Sequence, residues 1–219
     1  TSFNFEDNQL PDFVDSVSKH QYGTKFTLKD NIASGDYKLL EFSNGFYAYS
    51  SNYILNKDFE IELSVIKDDY LALHINQIQA GSIFKISLNN RTVSYDDKIV
   101  TSLFLTAGKD SFKISGTKGA LVNRIKIMVP KVWLAKNLPA FNEAMLNSYM
   151  SLDEDRLYTD SLDNTYRSMI DKIMNTEDNA FYLSITQNII AVITERFFNR
   201  LVIRIQKNQK LNEINDKLA

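Results

Sequence analysis

Every glycine in the chain, from Gly23 to Gly119, lies before residue 120, and beyond Pro139 there is no proline either. One polypeptide is therefore written in two grammars. Glycine-punctuated segments with many aromatic and β-branched residues are how short strands and tight turns are encoded. A long tail without glycine or proline is how helices are encoded. The change falls near Pro130, which predicts a β domain over residues 1–130 and a helical segment over 131–219.

Within the first part, DFEIELSVI alternates, with Phe59, Ile61, Leu63 and Val65 opposite Glu60, Glu62 and Ser64. Asp68-Asp69 breaks that run before YLALHINQI, and the pair reads as a hairpin. SIFKISL, Asn89-Asn90 and RTVSY read as a second hairpin. DYKLLEF, Asn44-Gly45 and FYAYSSNYI read as a third, with TKFTL leading in. IVTSLFLT, SFKIS and LVNRIKIMV continue the pattern across the turns AGKD and GTKG. Eight to ten short strands at this spacing imply a barrel or a two-sheet sandwich.

Beyond Pro130, helices are predicted over 131–149 with a break at Pro139, over 162–174, and from 179 to at least 206. In the second, Leu162, Tyr166, Met169, Ile170 and Ile173 share a face, and Ser161 or Asp160 is a plausible N-cap. The third carries Phe181, Ile185, Ile189, Val192 and Ile193 on one side. From Phe197 the apolar residues Phe197, Phe198, Leu201, Val202 and Ile205 move to the other side, while Arg196, Arg200 and Arg204 take over the first stripe. Either the helix kinks near Glu195, or it meets two partners. On the second reading Phe197, Leu201, Val202 and Ile205 face outward and form a dimer interface.

Several chemistries are excluded. The chain has no cysteine, hence no disulfide, thiolate metal site or thiol nucleophile. Its two histidines, His20 and His74, are far apart in sequence and form no His-x-His pair, so a transition-metal site is not expected. No G-x-S-x-G elbow or Walker A loop is present, and the glycines of GTKGA and LTAGKDS read as turns. Glu60 and Glu62 lie opposite an apolar row and read as a solvent face rather than a glycosidase pair. A net charge of −2 advertises no nucleic-acid surface. No run of 18 apolar residues suits a membrane helix. The opening TSFNFEDNQLPDF lacks the build of a signal peptide, and a first residue of Thr is expected of a trimmed chain.

Two features could serve a ligand. Tyr47, Tyr49 and Tyr53 fall on one strand face, where such rows either line a ring-binding pocket or pack a core. His74 shares its face with Ala72 and Asn76, as a hydrogen-bonding strand residue or as a polar ligand contact. No catalytic constellation emerges.

DDYLALHINQIQAG, NRIKIMVPKVWLAKNLP, YRSMIDKIMN and FYLSITQNIIAVITERFFNRL together resemble the regulatory half of AraC-type transcription regulators. They correspond to a histidine-bearing barrel strand, an exit strand and the paired linker helices. Asn76 departs from that pattern by standing where an aromatic residue is usual. The resemblance implies a cupin-like antiparallel β-barrel, a double-sheet jelly roll, followed by a helical dimerisation segment. It implies a cytoplasmic homodimer that senses a small-molecule effector, with no cofactor and no enzymatic activity. DNA would be contacted only through a helix-turn-helix domain not contained in this sequence. The alternative reading is a cupin-fold enzyme acting on a sugar or small organic molecule.

Overall fold

A computed structural model describes residues 14–20, 23–64, 69–79, 84–88, 91–95, 100–107, 111–142, 144–145, 164–174 and 180–218. Eleven strands are present among them: β1 (Val14–His20), β2 (Gly23–Leu28), β3 (Ala33–Glu41), β4 (Tyr47–Leu55), β5 (Phe59–Ser64), β6 (Tyr70–Gln79), β7 (Phe84–Leu88), β8 (Arg91–Tyr95), β9 (Val100–Ala107), β10 (Ser111–Gly116) and β11 (Leu121–Pro130). Three helices follow: α1 (Lys131–Asn137), α2 (Asn164–Met174) and α3 (Ala180–Leu218).

The strands form two antiparallel sheets, a large one ordered β1-β2-β3-β4-β11-β6-β9 and a small one ordered β5-β10-β7-β8. No strand pairing joins the two among the described residues, so the layers form a sandwich there and the expected barrel closure is not seen. From β4 onward the chain repeatedly crosses between layers. This corrects the hairpin expected around Asp68-Asp69: β5 pairs with β10, whereas β6 pairs with β11 and β9. A break between two alternating runs marks a crossover as readily as a turn. The β3–β4 and β7–β8 hairpins do form.

Gly35 in β3 shows how closely neighbouring backbones approach. Its φ is +140°, and a Cβ placed there would lie 2.2 Å from the carbonyl oxygen of Asn52 in β4. Only glycine fits so close an approach without displacing the adjoining strand.

The centre of the large sheet is buried on both faces. Its outer face, including Ala48, Leu71, Leu73, Ile75, Ile125, Ile127 and Val129, packs with the helices in one continuous core. Its inner face meets the small sheet through Phe26, Phe104 and Val122 against Ile86 and Ile114. Pro130 ends β11 and caps α1 with a φ of −63°, suited to the first turn of a helix.

The expected α2 face is present: Tyr166, Ile170 and Ile173 are buried, with Met169 packed beside them. Leu162 and the suggested caps Asp160 and Ser161 lie outside the described residues. The first helix stops at Asn137, short of the expected break at Pro139, and 146–149 are not described.

In α3 one face is buried from Thr186 to Ile205. Thr186, Ile190, Ile193, Thr194, Phe197, Phe198, Leu201, Val202 and Ile205 follow each other at helical spacing. Thr194 enters this apolar stripe because its Oγ1 donates to the Ile190 carbonyl at 2.8 Å, so no hydroxyl is stranded. The outward orientation expected for Phe197, Leu201, Val202 and Ile205 is therefore corrected. They are 0%, 0%, 8% and 2% exposed within this single chain. What faces outward is much of the other stripe, with Phe181, Ile185 and Val192 exposed, and Ile203 continuing the line.

Candidate functional site

Strand register builds the site. Directly opposed residues in an antiparallel sheet share a face. Tyr47, Tyr49, Ser51 and Tyr53 of β4 oppose Met128, Lys126, Arg124 and Val122 of β11. On the other side of β11, Lys126 opposes His74 and Arg124 opposes Asn76. Next out, His74 opposes Phe104, and Ala72 opposes Thr106, both of β9. On the far side of β4, Tyr49 opposes Leu39, and Ser51 opposes Tyr37 of β3. This face looks into the space between the sheets. The expected candidates Tyr47, Tyr49 and His74 thus belong to one surface.

At its centre is a polar relay. Arg124 Nη2 lies 2.8 Å from His74 Nδ1, and His74 Nε2 lies 2.9 Å from Thr106 Oγ1. A guanidinium can only donate, so Nδ1 accepts and the imidazole proton sits on Nε2, donating to Thr106. The ring also stacks on Phe104, with centroids 4.6 Å apart and planes 10° from parallel. His74 is fully buried. Burial first, then the charges of Arg124 and Lys126, holds its pKa well below the usual histidine range. The hydrogen-bonded strand residue expected at His74 is what the geometry shows.

Beside the relay is Lys126, whose Nζ lies 5.6 Å from the centroid of the Tyr49 ring. Burial, with a smaller contribution from Arg124, brings its pKa down to about 7. The Tyr49 ring lies 5.8 Å from that of Tyr37, which in turn meets Phe26 edge-on at 5.7 Å. Burial pushes Tyr49 up to about 12, with further contributions from Tyr47, Glu41 and Tyr70. Tyr37 and Tyr53 are raised chiefly by burial as well. Tyr47 pairs with Tyr70 at 5.7 Å. Leu39, Tyr37, Tyr47, Tyr49, Tyr53 and Lys126 are all half-buried, so solvent reaches this part of the row.

Arg124 and Lys126 are the residues that sequence reasoning missed. Their signal was present in LVNRIKIMV, as two cations at period two in a strand between apolar neighbours. Such a pattern ordinarily marks a solvent face. An open cleft of about 410 Å³, lined in part by Lys25, Ser34, Asp36 and Asn52, lies toward the polar end of the outer face. It gathers no comparable chemistry. Among the described residues, no group of three or more His, Cys, Asp or Glu side chains could hold a metal ion. Nor is any helix there long and apolar enough to cross a membrane.

No protein-family model matches the chain, and no curated protein matches it significantly. Similar solved structures include the cupin domain of Schizosaccharomyces pombe Cnp3, at 12% identity over 48% of this chain and 68% of that one, with a TM-score of 0.34. The AraC-like transcriptional activator CuxR is similar at 10% identity over 72% of this chain and 55% of that one, with a TM-score of 0.33. Lactobacillus farciminis oxalate decarboxylase, in its formate complex, is similar at 8% identity over 71% of this chain and 46% of that one, with a TM-score of 0.28. The chain spans about half the length of the last two. Likenesses this distant assign neither a family nor an activity.

Proposed function

We propose that this chain is the small-molecule-sensing and dimerising part of an AraC-type transcription regulator, with a cupin-like β sandwich as the sensor. The carrying observation is the inner row of β4, β6 and β11. It is polar, aromatic and half-open, on a sheet whose outer face is covered in part by helices. An effector between the sheets would contact Tyr47, Tyr49 and Lys126, and would press on the strand whose reverse side packs against α3. Changes in the balance between two packings of that strand would then alter how the helical segment presents a DNA-binding domain. This reading assigns the chain no enzymatic role.

The homodimer of this proposal uses a different surface from the one expected in the sequence. Phe181, Ile185, Val192 and Ile203 fall within about 40° of one another around α3. A second copy of the same helix, related by a two-fold axis, would cover all four. Ligand-induced thermal stabilisation tests the sensor role. A library of small metabolites should contain compounds that raise the melting temperature saturably, and Tyr49→Ala should abolish the effect. Stabilisation unchanged in Tyr49→Ala would place the effector elsewhere.

A further inference from the structure

The open cleft on the outer face of the large sheet offers neutral hydrogen bonding in place of the buried charges of the inner row. Strand register sets its side chains in two parallel rows, because directly opposed residues share a face. One row is polar: Thr27 of β2 opposes Asp36 of β3, Asp36 opposes Asn52 of β4, and Asn52 opposes Asn123 of β11. The next row runs through Ser34, Ile54 and Leu121 across β3, β4 and β11. It turns apolar after its first member, and Ile54 is 47% exposed. At about 410 Å³ the cleft lies within the range of about 300–1,000 Å³ typical of small-molecule sites.

Two of the polar groups are fixed by neighbours. Lys25 Nζ lies 2.7 Å from Asp36 Oδ2, which orients the carboxylate and balances its charge. Asn56 Nδ2 donates to Ser34 Oγ and to the Asp30 carbonyl, both at 2.6 Å, so the serine hydroxyl is anchored to the β2–β3 turn. The lining therefore carries one charge of each sign, paired with each other. Lys38, opposite Lys25 in register, stands on the row beyond. Further along the polar row, Asn123 Oδ1 is buried and receives no hydrogen bond from any described residue. An orphaned buried acceptor is costly, and a hydroxyl reaching past Asn52 is the donor that would meet it.

We infer that this cleft binds a neutral saccharide, its hydroxyls set along Thr27, Asp36 and Asn52 and its carbon-bound hydrogens laid on Ile54 and Leu121. A sugar hydroxyl both donates and accepts. The row matches that need, since a carboxylate only accepts, an ammonium only donates, and an amide and a hydroxyl do both. A sugar ring also presents an edge of hydroxyls beside a face of C–H groups, which is the division between the two rows. A charged ligand would instead have to compete for one member of the Lys25–Asp36 pair. Asn52 lies on the strand face opposite to that of Tyr49. This is therefore a second site, and it stands or falls independently of the sensor reading.

The test titrates the intact, nitrogen-15-labelled chain with maltotriose, cellotriose and xylotriose at millimolar concentrations and follows the amide resonances. Trigalacturonate and the trimer of glucosamine serve as anionic and cationic comparators. At least one neutral trisaccharide should move the amides of Thr27, Asp36 and Asn52 saturably, and bind about tenfold tighter than either comparator. Asn52→Ala, at an exposed position, should weaken that binding about tenfold with the fold intact by circular dichroism. Should that variant misfold, Thr27→Ala, also exposed, takes its place with the same expectation. Saccharide binding unchanged by the substitution overturns the site. Tighter binding of a charged comparator overturns the neutral ligand. Shifts centred on Tyr49 and His74 would move the saccharide to the inner row, overturning this site while supporting the sensor reading. No response to any trisaccharide overturns the inference and leaves the sensor reading untouched.

Discussion

Arg124 donates to Nδ1 of His74, and that single contact fixes the imidazole as a neutral Nε2–H tautomer. A protonated ring would set a third positive charge against Arg124 and Lys126 in a desolvated space, so the histidine is a structural strut and not a base in waiting.

Nitrogen-15 NMR should therefore show His74 as the Nε2–H form, without titration through the usual histidine range. Because its folded pKa is lowered, the unfolded chain takes up a proton first as pH falls. The contribution of His74 to stability is lost as pH drops below about 6.5, the unfolded value. A His74 resonance titrating near that value would contradict the relay. His74→Phe, which keeps the stacking but removes the acceptor, should cost about 1–3 kcal/mol by chemical denaturation.

Lys126 has its own pH signature. With a folded pKa near 7 against 10.5 for the free side chain, the cost of burying its charge is full below pH 7. That cost is relieved as pH rises, because the unfolded chain still binds the proton that the folded one has released. Lys126→Met should accordingly be more stable than the parent at pH 6, with the gap narrowing by pH 9. The comparison should stop there. Above pH 10 the raised pKa values of Tyr37, Tyr49 and Tyr53 act oppositely, since unfolding then releases tyrosine protons. Parallel stability curves for the two proteins from pH 6 to 9 would refute the assignment.

The two faces of α3 should respond to substitution in opposite ways. Leu201→Ala should cost about 2–5 kcal/mol and Phe197→Ala about 3–5 kcal/mol, as core truncations do. Ile185→Glu together with Val192→Glu should leave the fold intact by circular dichroism and shift sedimentation from dimer to monomer. A double variant that stays dimeric removes this stripe from the interface. One that unfolds moves it into the core.

Gly35→Ala tests the close approach of β3 to β4. Its Cβ would collide with the Asn52 carbonyl at a backbone angle that L-residues avoid, so a loss of roughly 1–3 kcal/mol is expected in thermal unfolding. A neutral outcome would mean that β3 and β4 can separate locally at no cost.

Alternation alone was enough to group Tyr47, Tyr49 and Tyr53, and the loss of glycine located the change from strand to helix at Pro130. It could not reveal Arg124 and Lys126 as interior residues. Polar residues opposite Ile125 and Ile127 look solvated unless a second layer is known to cover them, and that layer comes from β5, β7, β8 and β10, none of which pairs with β11. The helical wheel of α3 likewise shows two apolar stripes without saying which one turns inward. Thr186 and Thr194 decide it by extending the Phe197–Ile205 face backward. A threonine is easily read as surface until its hydroxyl is seen bonded to the preceding turn. The crossover after β5 was hidden for a related reason, since strand order is set by long-range pairing.

The length of α3 has a mechanical consequence. The helix continues from Ile205, the last side chain described as buried, to Leu218, a further length of roughly 20 Å at 1.5 Å per residue. Through Ile205 it is clamped against the core. A tilt of about 5° in the clamp, small enough to come from side-chain repacking behind Ile125 and Ile127, would swing the tip by roughly 2 Å over that reach.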